Sequence, residues 1–221
     1  MALEPIEHTN LSDKVYERLK QGILTRQFAP GQRLNVDQLS EQLGVSRTPL
    51  KDALNRLSAE GLVTIVPRQG TFVTRLTPRD IAELFAIRRA LEAWAVEEAV
   101  RRITPQELEE LRRLLDEMSQ LVNPDGSCAD YLTLVAKDRD FHLLIIKASD
   151  NRKLFELYKN LNVHIQVAVI YYLDADKRVE ETLREHEAIL KALESRDVEA
   201  AKEAINTHLK AGELATLERV K

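Results

Sequence analysis

A chain of 221 residues has material for one or two domains and a sizeable core, and its single cysteine, Cys128, excludes an intramolecular disulfide and fits a reducing cytoplasm. Lys and Arg total 32 against 36 Asp and Glu, a net charge of −4 that excludes a bulk basic field as the source of any nucleic-acid affinity. No apolar run approaches the roughly 18 residues of a membrane span, and the first residues lack a charged-then-apolar signal pattern, so a soluble cytoplasmic protein without a membrane partner is expected.

Residues 1–10 are polar, contain Pro5, and read as a loose arm in which His8 is a solvated side chain. Leu11 to Thr25 follows as a helix striped by Val15, Leu19 and Ile23, ending at a turn over Phe28 to Gly31. Asn35 caps the next helix, whose inward positions Val36, Leu39 and Leu43 recur at helical spacing until Gly44 stops it. Ser46 is a second N-cap candidate. Behind it Leu50, Ala53, Leu54 and Leu57 form one apolar face, while Arg47, Thr48, Lys51 and Asn55 point elsewhere.

Two helices joined by a glycine-containing turn form a helix-turn-helix, whose second helix enters the DNA major groove with its N-terminal residues at base edges. Arg47, Thr48 and Lys51 stand at that end, beside Ser46. Leu62 to Val66 and Thr71 to Thr74 alternate as short strands around a tip, Pro67 to Gly70. Arg68, Gln69 and Gly70 there suit a phosphate or minor-groove contact, which makes the unit a winged helix over residues 1–76. Those 76 residues hold ten basic and eight acidic side chains, so the excess acid lies in the remainder. A single reader helix buries too little to be specific, so a homodimer on a two-fold, palindromic operator is expected.

From Thr77 to the end, residues 77–221, every periodic segment is helical, and an all-α antiparallel bundle of six helices is expected. Thr77 and Pro78 give a cap followed by proline at the first helical position, with Asp80 in the first turn. That helix runs to about Arg102 with Ile81, Leu84, Phe85, Arg88, Leu91, Ala95 and Trp94 inward. Thr104, Pro105 and Glu107 repeat the start signal, and the helix behind them, carrying Leu108, Leu111, Leu115 and Met118, lasts to a break at Asn123 to Gly126. A helix from about Cys128 to Ser149 and another through Leu154, Tyr158, Ile165 and Ala168 follow, closed by a turn over Asp174 to Arg178. Two more, carrying Leu183, Ile189 and Leu193, then Ala201, Ile205 and Leu209, complete the chain.

Several ionisable side chains fall inside these apolar stripes. Asp138 and His142 are four apart on one helix face, His186 lies between Leu183 and Ile189, His208 follows Ile205 by three, and His164 follows Leu161 by three. A lone inward histidine is usually a satisfied core residue. Four of them with a carboxylate are costly to bury without partners, and one divalent cation removes that cost for all at once. Asp138, His142, His186 and His208 suit a zinc centre, or one of nickel or manganese, with positions left for water or ligand. Arg88 has two readings: an ion pair with Glu92 one turn on, or a grip on a small organic acid whose other oxygen meets the metal.

Pro30 and Gly31, Leu39 to Glu41, Leu43 to Pro49, Ala53, Leu54, Leu57, Glu60 to Leu62 and Arg68 to Val73 together resemble the winged-helix domain of GntR-type bacterial transcription regulators. Arg88 to Glu92, Asp138 to His142, Glu185 to Ile189 and Ala204 to His208 resemble the FCD effector domain of the FadR subfamily. The resemblance covers nearly the whole chain. It implies a homodimer on a short palindrome of double-stranded DNA, a metal on Asp138, His142, His186 and His208, and a small carboxylate effector. DNA contacts from Arg47, Thr48, Lys51 and the wing at Arg68 to Gly70 are implied too, and His164 is left to line the effector cavity. Two positions depart from the pattern: Lys51 stands where the family often has arginine, which weakens a bidentate guanine contact. Asp37 stands where the fatty-acid-responsive member has a DNA-contacting arginine; that member lacks the metal residues, which argues against an acyl-CoA effector. Two other readings stay open at this point: a metal-dependent hydrolase-like enzyme fused to a DNA reader, and a regulator whose metal is a purely structural staple.

Overall fold

The computed structural model describes residues 11–172 and 178–220. The loose arm of residues 1–10 with His8, and Asp174 to Lys177 of the closing turn, lie outside the described residues. The chain divides into two compact units, one up to Arg75 and one from Leu76.

In the first unit α1 (Leu11–Leu24) buries Val15, Tyr16, Leu19 and Ile23 against α3 (Arg47–Ala59), which returns Leu50, Ala53, Leu54 and Leu57. Each fully buried leucine or isoleucine contributes about 1.5–3 kcal/mol, so this seam holds the helix pair. Between them α2 (Val36–Leu43) starts at Asn35, whose side chain accepts from the amides of Asp37 and Gln38, and stops at Gly44. Gly44 adopts φ +63°, a left-handed turn in which its amide reaches back to the last helical carbonyls. The wing is β2 (Val63–Val66) and β3 (Gly70–Val73), antiparallel, with Val63 opposite Val73. A strand the sequence pattern did not reveal, β1 (Arg33–Leu34), pairs with the other edge of β3, giving the order β1-β3-β2. Two residues are too few to show a period.

The second unit contains six helices among its described residues: α4 (Pro78–Arg102), α5 (Pro105–Ser119), α6 (Tyr131–Ala148), α7 (Arg152–Tyr172), α8 (Val179–Glu194) and α9 (Val198–Leu217). α4 and α5 both open with a reciprocal capping box and proline at the first position, Thr77 with Asp80 and Thr104 with Glu107. α4 packs on α9, α6 and α7, while α8 lies on α9 and α5. Val96, Leu111, Phe141, Ile145, Ile189, Leu193 and Ile205 form the centre of that core. α6 starts at Tyr131 rather than Cys128, because the Asp130 side chain caps it by accepting from Thr133 while Cys128 bridges back to Val122. Trp94, expected inward, is 46 % exposed; the buried stripe of α4 passes through Glu92, Ala95 and Val96 instead. The turn between α8 and α9 sends Arg196 across to the far end of α4, where it donates to the carbonyls of Val100 and Ile103 at 2.6 Å each. Those are end carbonyls with few helical donors left to serve them. No described helix is long and apolar enough to cross a membrane.

Candidate functional site

On the first unit, Ser46, Arg47, Thr48 and Lys51 are all exposed at the start of α3, and Arg68 and Gln69 are exposed at the hairpin tip with Gly70 partly covered. Arg68 and Gly70 take positive φ, 64° and 130°, which turns the tip sharply. Arg47 Nη2 meets Asp37 Oδ1 at 2.7 Å, both side chains 68 % exposed. An ion pair this wet is worth less than about 1 kcal/mol, so it points the guanidinium without withholding it from a stronger partner.

In the second unit four side chains meet where α6, α8 and α9 converge. α6 supplies Asp138 and His142, α8 supplies His186 and α9 supplies His208, with one donor atom from each lying within 4.8 Å of all the others. Asp138 Oδ1 is 3.2 Å from His186 Nε2, 3.8 Å from His142 Nε2 and 3.9 Å from His208 Nε2. The outer nitrogens decide the chemistry. His186 Nδ1 lies 2.7 Å from the Thr182 carbonyl, which can only accept, so the proton is on Nδ1. His142 Nδ1 lies 2.6 Å from Glu92 Oε2, and His208 Nδ1 2.9 Å from Glu185 Oε2.

Both carboxylates are ionised. Burial works against Glu92, but the charge of Arg88, with hydrogen bonds from His142 and Tyr158, holds its carboxyl far below the usual range. For Glu185 burial again opposes, and the hydrogen bond with His208 and the charge of Arg178 outweigh it. Burial pushes His142 down, and burial with the neighbouring His186 pushes His208 down to about 3, so both rings are neutral at pH 7. A neutral ring with its proton on Nδ1 presents a bare lone pair on Nε2.

The Nε2 atoms of all three rings face Asp138 and one another, those of His142 and His208 as bare lone pairs. His142 Nε2 and His208 Nε2 are 3.1 Å apart, a hydrogen-bond distance with no proton to fill it. His186 Nε2 is buried with no hydrogen-bond partner. Buried lone pairs left this way are costly, and a divalent cation among the four donors satisfies them together, so the residues fit a metal.

A cavity adjoins the cluster, walled by Phe85, Leu134, Val135, Val169 and Leu209, with Arg88, Asp138, Arg178 and His208 as its charged or ligating groups. Arg88 Nε is bound to Glu92 Oε1 at 2.6 Å with both residues buried, and Arg88 also borders the cavity. The two sequence readings of Arg88 are thus compatible. His164 is half-buried on α7 but is neither in the donor cluster nor among the cavity's walls. The inward face of α7 runs through Leu154, Tyr158, Ile165 and Ala168, and His164 sits off it. Sequence reasoning missed Glu185, Thr182, Tyr158 and Arg178, and saw Glu92 only as a partner for Arg88. Glu185 and Tyr158 act across helices, which no spacing within one helix signals, while Thr182 contributes only a backbone carbonyl and Arg178 reaches Glu185 from the N-cap of the same helix.

The chain matches the model of the FCD domain over residues 83–211 and that of bacterial regulatory proteins of the gntR family over residues 11–73. It is 34 % identical over 193 residues to the uncharacterised HTH-type transcriptional regulator YdhC of Bacillus subtilis, covering 87 % of this chain and 85 % of the relative. It is 32 % identical over 204 residues to the HTH-type transcriptional regulator McbR of Escherichia coli, covering 90 % of each. Among solved structures, E. coli McbR/YncC superposes with TM-score 0.80 at 28 % identity over 96 % of this chain and 99 % of that one. The metal-free FCD domain of TM0439 shares the fold of the second unit, with TM-score 0.56 at 24 % identity, covering 66 % of this chain and 96 % of that one.

Proposed function

Because the chain belongs to the GntR family of bacterial transcription regulators, with an FCD domain behind its DNA reader, and is no enzyme, we propose that it is a metal-dependent sensor of a small carboxylate. In this reading two copies pair and set their α3 helices on the half-sites of a palindromic operator in the cytoplasm. Ser46, Arg47, Thr48 and Lys51 read bases, and Arg68, Gln69 and Gly70 hold the phosphate backbone or minor groove. Asp138, His142, His186 and His208 hold the cation. Zinc is the first expectation from three imidazoles and a carboxylate, with nickel or manganese able to use the same set.

The observation that carries the reading is the convergence of three buried Nε2 atoms on one carboxylate, each ring held from behind through Nδ1. When bound, the metal supplies a positive centre that attracts a carboxylate oxygen. Arg88, fixed through Nε by Glu92, turns the rest of its guanidinium to the cavity for the second oxygen, and the apolar walls exclude water from the ligand's body. α4 carries Arg88 and is joined in sequence to the wing by the short stretch Arg75 to Thr77. Ligand and operator then bias one equilibrium, each altering the other's affinity by the same factor, typically about 1–3 kcal/mol.

Titration of small carboxylic acids into wild type, Arg88→Ala and metal-free protein, with and without operator, tests this. Binding that weakens in both altered proteins and shifts with DNA is expected. A staple-like metal with no ligand is the second reading, favoured by the engagement of Arg88 with Glu92. Equal acid affinity in all three proteins, or indifference to DNA, would establish it instead.

A further inference from the structure

Each ligand histidine is gripped from behind, but not in the same way. His186 leans on a neutral backbone carbonyl, that of Thr182 in its own helix. His142 and His208 lean on carboxylates from elsewhere: Glu92 on α4 and Glu185 on α8. Each carboxylate is in turn held by an arginine that borders the cavity. Arg88 Nε donates to Glu92, and Arg178 Nη2 donates to both Glu185 oxygens at 2.8 and 2.6 Å. The molecule thus contains two relays of the same composition, arginine to glutamate to imidazole, ending on neighbouring Nε2 atoms.

We propose that Glu92 and Glu185 are positioning residues of the metal site, setting the Nδ1–H tautomer of His142 and His208 and raising the donor strength of their Nε2 lone pairs. The proposal rests on the metal reading above. A carboxylate that accepts the Nδ1 proton fixes the ring's rotation and leaves only Nε2 for the cation. Its negative charge pushes electron density through the imidazole, so the bond to a metal strengthens; loss of such a partner typically weakens metal binding about 10–100-fold. Arg88 and Arg178 hold each carboxylate in a single orientation and offset its cost of burial. Glu185 is the better probe, since its side chain is 17 % exposed against 0 % for Glu92 and its removal does not strand a fully buried arginine.

The test uses the full-length protein, zinc and two variants. Glu185→Gln keeps an acceptor for His208 Nδ1 but removes the charge; Glu185→Ala removes both. Zinc affinity is read by competition with a chromophoric chelator, and the His208 tautomer in metal-free protein by nitrogen-15 chemical shifts. The expectation is Nδ1–H in wild type and Glu185→Gln, mixed tautomers in Glu185→Ala, and zinc affinity falling about 10-fold in the first variant and further in the second. The metal-free melting temperature changes little, which separates positioning from a structural role. Wild-type protein that takes up no zinc would overturn the metal reading and this proposal together. Wild-type protein that binds zinc, with both variants binding as tightly, overturns the proposal alone, as does an Nε2–H tautomer at His208 in wild type.

Discussion

Replacing Glu92 by alanine should be among the most destabilising single changes in the chain. The side chain has no solvent exposure and serves three partners at once: Arg88, His142 and Tyr158. Arg88 is itself only 4 % exposed, so the variant leaves a guanidinium buried without a counter-charge. Breaking a buried pair from one side costs about 3–5 kcal/mol. The stranded Tyr158 hydroxyl and His142 Nδ1–H each add about 1–3 kcal/mol if nothing relaxes, and partial relaxation is the rule, so about 5 kcal/mol is the working figure. Against a domain stability of about 5–15 kcal/mol that is enough to leave much of the second unit unfolded. Urea denaturation of metal-free protein, followed by circular dichroism, gives the number. The double variant Arg88→Met, Glu92→Leu removes both charges and restores volume, and should recover at least about half of the loss. A loss below about 1 kcal/mol for Glu92→Ala, or a double variant no more stable than the single, would refute the view of Glu92 as the buried anchor of this network.

Three further outcomes follow from the same geometry. Arg47→Ala should keep non-specific DNA binding while losing about 1–3 kcal/mol of discrimination between operator and scrambled sequence; an unchanged sequence preference in a binding-selection assay removes Arg47 from the reader. The metal-free protein should lose stability as pH falls. His208 titrates near 3 when folded and near 6.5 when unfolded, so between those values the unfolded chain holds the extra proton and stability drops by about 1.4 kcal/mol per pH unit. Denaturation midpoints at pH 7 and pH 5 read this, and a His208→Leu variant should show a shallower slope; equal slopes would contradict the buried neutral imidazole. Gly44→Ala meets no atom within 4 Å of the new Cβ, so its cost is confined to the left-handed backbone, about 1 kcal/mol by thermal melting. A variant as stable as wild type means that this turn relaxes to an ordinary conformation.

The helices and their inward faces were legible because a 3.6-residue period and side-chain caps are local signals: Asn35, Gly44, Thr77 with Pro78 and Thr104 with Pro105 each mark an end where the structure has one. The pairing of Asp138 with His142 was legible for the same reason, since both stand on one face of α6. What periodicity cannot carry is which face meets which helix. Nothing in the spacing joins Glu92 to His142, 50 residues on, or Glu185 to His208, 23 residues on. Trp94 is the converse case: an aromatic next to the stripe passes for core by period alone, while Ala95 and Val96 complete the buried arc. A two-residue strand such as Arg33–Leu34 exists only because β3 offers it an edge.

The grip of Arg196 on Val100 and Ile103 gives α4 the mechanics of a lever. One end is fastened by two hydrogen bonds to a turn that lies more than 90 residues away in sequence, and the fulcrum therefore sits at the C-terminal end. At about 1.5 Å per residue, Arg88 lies about 18 Å from Val100 and Pro78 about 33 Å from it. Force applied at Arg88 acts part-way along the arm, and the load is carried at Pro78. On a rigid arm of these lengths, a displacement of about 1 Å at the guanidinium would correspond to nearly 2 Å at the proline, beside Thr77, whose capping box ends the rod.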